Sequence, residues 1–398
     1  MRIVLITINY PPMGSSTAVQ MRDLANELVS HGHSPTVIVP DSSLKRAWTI
    51  EFNDSVRVLR LWTLEHRNVC RFQRLIAEAL LPWLMILGLY ISPLANVKWD
   101  GIIWWSPSIF FAPLIKRLKR RSGCRSYMIL RDIFPDWALD LGLLKPGLLY
   151  EYFSLVCRQQ YNAADTVGVQ SPSNLLFLPK SGTHSSVVYE VLWNWIAAVP
   201  ASTCSIQISD TSLAGRKIIV YAGNMGVAQN LDIFIQLAIR FLSRNDVGFL
   251  LVGRGSHKSR LISITESHCL TNVLFFDEIH PDEIPRLLSQ CHLGFLSLDI
   301  RHKTHNIPGK FLAYVHSGLP VLAVANKGSD LVELIKSSGV GCVVDQEPLL
   351  DTLEDLAAVM LSGDTDLALM SKLGQKLAAD LFSPSSSVKS IVSALSTK

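Results

Sequence analysis

The sequence predicts an α/β protein made of two doubly wound domains facing a central cleft. Three observations carry that prediction. Short apolar runs alternate with segments of helical period from the first residues onward. The alternation lapses in a small, polar stretch between Ala197 and Ala214 and then restarts. A chain of 398 residues, 48% of them hydrophobic, suffices for two full cores.

Ile3–Ile8 reads as the first strand, and Ala18, Met21, Leu24 and Leu28 place one apolar face on the helix that follows. Between them lies "NYPPMGSST", where Pro12 stops the strand and Ser15, Ser16 or Thr17 can cap the helix. Gly14 would also let backbone pass close to a ligand, at a helix end that favours negative charge. Thr36–Val39, Val56–Leu61, Gly101–Trp105, Ser126–Leu130 and Thr166–Gln170 read as further strands of a parallel sheet with helices between them. After the stretch read as a linker, strands are expected at Lys217–Tyr221, Val247–Val252, Val273–Phe276, Leu293–Leu298, Val321–Ala325 and Cys342–Val344. Leu231–Leu242 reads as a helix, and Ser383–Lys398 as a last one. Domains are expected at 1–200 and 213–380, with 381–398 as a terminal helix.

A net charge of +4 is too small to argue for nucleic acid as a partner. Seven cysteines are scattered singly without metal-ligand spacing, which suits a reducing compartment. The chain opens directly into a strand, so no signal peptide is expected and a cytoplasmic location is. The apolar segment Ile76–Ala95 has the length of a membrane span, but Pro82 and Pro93 interrupt it and Glu78 lies near its start. A buried helix or a membrane-dipping one fits better. The run "KRLKRR" over 116–121 follows, and its cations suit anionic headgroups as well as a solvated helix end. Together the two point to peripheral contact with a membrane surface.

Two motifs of the second half carry chemistry. In "LLVGRGSHK" a strand ends in Gly253-Arg254-Gly255, without the third glycine or the acidic residue of a dinucleotide fingerprint. Arg254 can hold a phosphate there, or be a surface arginine in a turn. In "HNIPGKFLAYVHSGLPVLA", Pro308-Gly309 opens a helix, Lys310 sits in its first turn and Gly318 ends it. A lysine at a helix N-terminus opposes the helix dipole. A bound anion would reconcile the two, since amides and ammonium then act together.

"NIPGKFLAYVHSGLPVLA", "YAGNMGVAQNLDIFIQLA", "LLVGRG" and "NYPPMGSSTAVQMRDLANELVSHGHSPTVIV" resemble the corresponding segments of family 4 glycosyltransferases. The resemblance implies a GT-B fold of two Rossmann-like domains, and retaining transfer from a nucleotide-activated sugar. It places the Gly14 turn beside the transferred sugar. It implies donor contacts at Gly223, Asn224, Gly253, Arg254, His305, Asn306, Gly309 and Lys310, with Arg254 and Lys310 on the diphosphate. The chain departs from the family where an acidic pair usually stands, at His305 and Ala313, and where a basic pair usually stands, at Asn224 and Gln229. "GNMGVAQ", "RHKTHNIPGKF" and "LRDIFPDWALDLG" resemble a subgroup that includes O-antigen transferases of N-acetyl-L-fucosamine and colanic-acid enzymes. That likeness implies a UDP-linked amino-deoxyhexose donor.

In "LRDIFPDW", Asp132 can orient an acceptor hydroxyl or take its proton, and Arg131 can hold an acceptor phosphate; equally, the two can close the turn as a salt bridge. Asp136 is a weaker base candidate. The "DTD" of 364–366 lies between helices and reads as a polar loop, and His302 with His305 lacks a third ligand, so no metal is assigned. The expected function is metal-independent sugar transfer at the inner face of the cytoplasmic membrane. The expected acceptor is a polyprenyl-diphosphate-linked saccharide. A catalytically silent nucleotide-sugar-binding scaffold and a nucleotide-sugar epimerase of the same fold are the alternatives.

Overall fold

The computed structural model describes residues 1–13, 15–65, 69–106, 108–140, 142–178, 187–197, 203–299, 307–363 and 365–397. They form two compact units, one of residues 1–197 with 384–398, the other of 198–383.

The first unit runs β1 (Arg2–Ile6), α1 (Ser16–Ser30), β2 (Ser34–Asp41), β3 (Trp48–Asn53), β4 (Val56–Trp62), α2 (Arg71–Tyr90), β5 (Gly101–Ser106), α3 (Ala112–Ser122), β6 (Arg125–Leu130), α4 (Asp136–Asp140), α5 (Leu148–Tyr161), β7 (Thr166–Val169) and β8 (Val188–Val191). Its sheet has the order β3-β4-β2-β1-β5-β6-β7-β8. Buried residues of α2, α3 and α5 pack on one face of it, those of α1 on the other. β1 and β5 are neighbours while the chain moves outward from each, so the sheet reverses its winding between them. Ser15 caps α1, its Oγ accepting from the Ala18 N–H at 3.2 Å.

Two expectations need correction here. The sheet is not all parallel: β3 pairs antiparallel with β4 at the sheet edge, through a turn in which Asp54 has φ 53°. β3 is mostly half-exposed, so no clean apolar run marks it. Pro82 does not interrupt the apolar segment. α2 passes through it in one helix because Leu81, Met85 and Leu89 are buried in the core. Gly88 brings α2 down onto β4: a Cβ there would lie 3.1 Å from Leu61 Cδ2.

The second unit runs β9 (Lys217–Ala222), α6 (Asp232–Arg240), β10 (Val247–Val252), α7 (Lys258–Ser267), β11 (Val273–Phe276), α8 (Ile284–Leu288), β12 (Leu293–Ser297), α9 (Gly309–His316), β13 (Val321–Val324), α10 (Asp330–Ser338), β14 (Gly341–Val344), α11 (Leu349–Ser362) and α12 (Leu367–Leu381). Its sheet, β11-β10-β9-β12-β13-β14, is parallel throughout and reverses its winding between β9 and β12. Phe234 on α6 stacks on Phe249 and Phe295 at centroid distances of 5.3 and 4.5 Å, in the core beneath α6 and α11. The stretch read as a linker is packed structure in its described part. Cys204, Ile206, Ile208 and Leu213 are buried, and the Gln290 amide bonds both the Ile206 carbonyl at 3.0 Å and the Ile208 N–H at 2.9 Å. Small polar composition hid those four anchors.

The chain ends in α13 (Pro384–Ser396), which belongs to the first unit and packs on α1. Leu395 fills the space above Gly101, where a Cβ would lie 2.7 Å from Leu395 Cδ1.

Candidate functional site

In the second unit the site builds up from β9 and β10. Each strand is followed directly by a glycine, Gly223 and Gly253, and the two turns stack backbone on backbone. A Cβ on Gly253, at φ +145°, would lie 2.0 Å from the Gly223 carbonyl oxygen. Only glycine tolerates that approach. Gly255 meets the Met225 carbonyl oxygen in the same way, at 2.3 Å. The Gly-Arg-Gly of the sequence is therefore the seat of the β9 loop. Lys258 ties the turn down from below, its Nζ donating to the carbonyls of Gly253 at 3.1 Å and Phe276 at 2.9 Å.

From the other side comes α9, whose register is fixed by Tyr314. Its hydroxyl accepts from the Ala222 N–H at 3.2 Å and donates to the Phe295 carbonyl at 3.1 Å, bridging β9 and β12. Gly294 leaves room for the ring. This anchoring sets Lys310, in the first turn of α9, across the end of β9. Its Nζ lies 5.1 Å from the centroid of Tyr221, and its stem lies over Gly223. Among the described residues no carboxylate or other hydrogen-bond acceptor pairs with this ammonium. Burial lowers its pKa to about 8, from an ordinary value of 10.5.

A cavity of about 230 Å³ lies beside it, lined by Gly223, Gly253, Glu278, Gly309, Lys310 and Ala313, among others. It sits at the carboxyl ends of β9, β10 and β11, next to the place where the sheet reverses its winding. In open α/β sheets that is where ligands bind. The open N–H groups of the first α9 turn and an unpaired cation meet there, an arrangement suited to an anion.

Arg254 stands near the cavity and is exposed, with its Nε 3.0 Å from Glu278 Oε2. Glu278 went unremarked in the sequence; it follows β11 with no motif around it. Asn224 is exposed, and its amide donates to Gln229 Oε1 at 3.3 Å, so the two residues standing in for the family's basic pair bond each other. Gly309 lines the cavity, and a Cβ on it would meet nothing within 4 Å. His305, Asn306 and Gly14 lie outside the described residues.

Residues 216–361 match the family described as glycosyl transferases group 1. That match falls within the second unit. Across both units the fold is GT-B: the chain aligns with sucrose-phosphate synthase of Thermosynechococcus elongatus at TM-score 0.73 and 13% identity, over 98% of this chain and 97% of that one. It aligns with HepE of Anabaena, solved in complex with UDP and glucose, at TM-score 0.67 and 14% identity, over 100% and 99% of the two chains. In sequence it is 28% identical over 320 residues to WcaI of Escherichia coli K12, named as a colanic acid biosynthesis glycosyl transferase. That match covers 74% of this chain and 76% of its relative. The residues that line the cavity beside Lys310 lie within the segment that matches the family.

The first unit places its candidates differently from one another. Asp132 follows β6 with its side chain exposed. The protein mass around it nonetheless raises its pKa, against the lowering effect of Arg131. Arg131 turns inward. It is 5% exposed, its guanidinium lies 5.0 Å from the Trp105 ring and 4.9 Å from the Trp195 ring, and its Nη1 donates to the Leu192 carbonyl at 3.0 Å. Burial lowers its pKa to about 9. The reading of Arg131 as an acceptor-phosphate ligand does not fit this placement, because the indoles enclose the charge. Asp136, the weaker base candidate, accepts from the Tyr150 hydroxyl at 2.8 Å and so ties α4 to α5.

Proposed function

We propose that the chain is a retaining, metal-independent glycosyltransferase that takes its sugar from a UDP-sugar donor. The single observation that carries this reading is Lys310: a largely buried, unpaired ammonium at the start of α9, facing a cavity where the sheet reverses. A nucleotide diphosphate supplies the charge that the site lacks. Arg254 would exchange Glu278 for the same diphosphate. In the transfer, the bond from the anomeric carbon to the diphosphate oxygen breaks and the acceptor oxygen bonds to that carbon on the same face. The hydroxyl proton passes to the leaving diphosphate, or to Asp132. HepE with bound UDP, on the same fold, supports the choice of nucleotide.

The likeness to WcaI supports polysaccharide assembly as the setting. N-acetyl-L-fucosamine or a related amino-deoxyhexose is the proposed sugar, and a polyprenyl-diphosphate-linked saccharide the proposed acceptor. The protein would work peripherally at the inner face of the cytoplasmic membrane, through α2 and the basic run of 116–121.

A panel of UDP-sugars, titrated by calorimetry and followed for slow hydrolysis, tests the reading. Binding of UDP and hydrolysis of one donor are expected. Absence of UDP binding refutes it. Asp132→Asn is expected to lower transfer by about 10²-fold or more if the carboxylate takes the proton, with UDP affinity unchanged. One observation favours a catalytically silent scaffold instead. Ala313 lines the cavity at a position where the family usually has a carboxylate. Retained UDP binding with no donor ever hydrolysed or transferred would favour that second reading.

A further inference from the structure

A groove of about 600 Å³ in the first unit is bounded by α2, α3 and α5. Lys116, Arg117, Arg120 and Arg121 of α3 line one side of it, and none of the four is ion-paired among the described residues. Arg121 donates to the Asn96 side chain, and Arg120 to the Lys116 carbonyl at 3.4 Å. Lys119, on the same helix, is spent on Asp165 at 2.8 Å and does not line the groove. No carboxylate is among the lining residues. Four uncompensated cations in one recess repel each other, and an anion relieves that repulsion.

Two apolar stripes run into the recess. On α2, Phe72, Ile76, Leu80, Trp83, Leu87 and Tyr90 recur at helical spacing and are all exposed, and Trp83 lines the groove. On α5, Leu148, Tyr152 and Leu155 recur at the same spacing and are also exposed, Leu148 to 92%. The next position on that face is Gln159, which lines the groove opposite the cations. The α5 stripe carried no signal in the sequence, since it is short and interrupted by Glu151 and Arg158.

We propose that α2, α3 and α5 form one platform for an anionic phospholipid bilayer, with lipid phosphodiesters seated among Lys116, Arg117, Arg120 and Arg121, and the α2 and α5 stripes dipping into the acyl boundary on either side. This rests on the membrane-peripheral reading above, and adds to it the lipid class and the second apolar limb. Charge selects the occupant: a second copy of the chain would bring four more cations to the recess. The platform follows interfacial logic, with long basic side chains at headgroup depth and Trp and Tyr at the boundary. Among the described residues α2 alone is apolar and long enough to cross a bilayer, but its buried face is committed to the core, so it lies in the plane of the interface.

The test is co-sedimentation of the full chain with phosphatidylcholine vesicles and with vesicles that also contain phosphatidylglycerol. Binding to the second alone is expected. Arg117→Gln with Arg120→Gln is expected to weaken it about 30-fold. Leu148→Asp with Leu155→Asp is expected to weaken it by at least about tenfold. Both pairs are exposed, and Asp at 148 suits the first turn of α5, so folding is retained; unchanged circular dichroism and an unchanged unfolding midpoint confirm it. Wild-type protein that sediments with neither vesicle overturns the membrane reading and the platform together. Wild type that binds while the α5 variant binds equally well overturns the platform alone. Equal binding to both vesicles refutes the anionic selectivity. Self-association that the α5 variant abolishes, with vesicle binding intact, makes the stripe a contact between copies and also refutes the platform.

Discussion

Lys310 and Gly223 compete for one space: a Cβ on residue 223 would lie 2.6 Å from Lys310 Cε and 3.3 Å from its Nζ. The glycine's missing side chain is what lets the lysine lie across the end of β9, over Tyr221 and beside the cavity. The position is costly for a cation without a partner, and the cost is recovered only when an anion binds.

Lys310→Met keeps the stem and removes the charge. It is expected to weaken UDP binding by about 1.5–3 kcal/mol, roughly 10- to 150-fold, on calorimetry. The same variant is expected to unfold no earlier than wild type in denaturant, because an uncompensated buried ammonium has been removed. Unaltered UDP affinity would remove Lys310 from the site.

The lysine also sets a pH signature. Its pKa in the folded protein, about 8, lies below the ordinary 10.5. Between those values the unfolded chain holds a proton that the folded protein has released, so this group's contribution to stability rises with pH across the window. Unfolding midpoints of wild type minus Lys310→Met should show that rise. UDP affinity moves the other way, falling as pH climbs through 8 and the ammonium is lost, with proton uptake on binding measurable in buffers of different ionisation heat.

Gly253→Ala sets a Cβ 2.0 Å from the Gly223 carbonyl oxygen, at a φ of +145°. Strain and backbone overlap together are expected to cost about 2–5 kcal/mol in denaturant unfolding. Gly309→Ala is the contrast: a Cβ there meets nothing within 4 Å and the residue begins a helix, so stability is expected to hold or rise by up to about 1 kcal/mol. Its effect would show instead in UDP affinity, since the methyl group enters the cavity.

Arg131→Lys tests whether the enclosed guanidinium is structural. Lysine cannot stack flat against Trp105 and Trp195, so a loss of about 1–3 kcal/mol is expected, read from tryptophan fluorescence during unfolding. A change in acceptor KM without a stability loss would restore the phosphate-binding reading.

Much of this was legible in the sequence. Val247–Val252 is apolar throughout because both its faces are covered, and a run of that kind needs no partner to be recognised. Lys310 was legible because a cation in the first turn of a helix contradicts a local rule. β3 was not, since it is an edge strand whose residues are mostly half-exposed. Nor was the inward turn of Arg131. An arginine after a strand reads the same whether it meets solvent or, as here, two indoles, one of them brought in by Trp195 from beyond β8. The Gly-Arg-Gly pattern was visible, but its purpose was not: the residue it clears space for, Gly223, lies one strand away.

The placement of α13 bears on how the protein is made. The first unit is built from two separate stretches of sequence with the second unit between them, and the pocket over Gly101 and the flank of α1 wait for Leu395 and its neighbours. On a ribosome moving at ~5–20 residues per second, residues 1–197 therefore stand unfinished for roughly 10–40 s while 198–383 are translated. The second unit can mature during synthesis, whereas the first closes only once α13 has emerged, and a nonsense codon just before α13 would damage the half translated first.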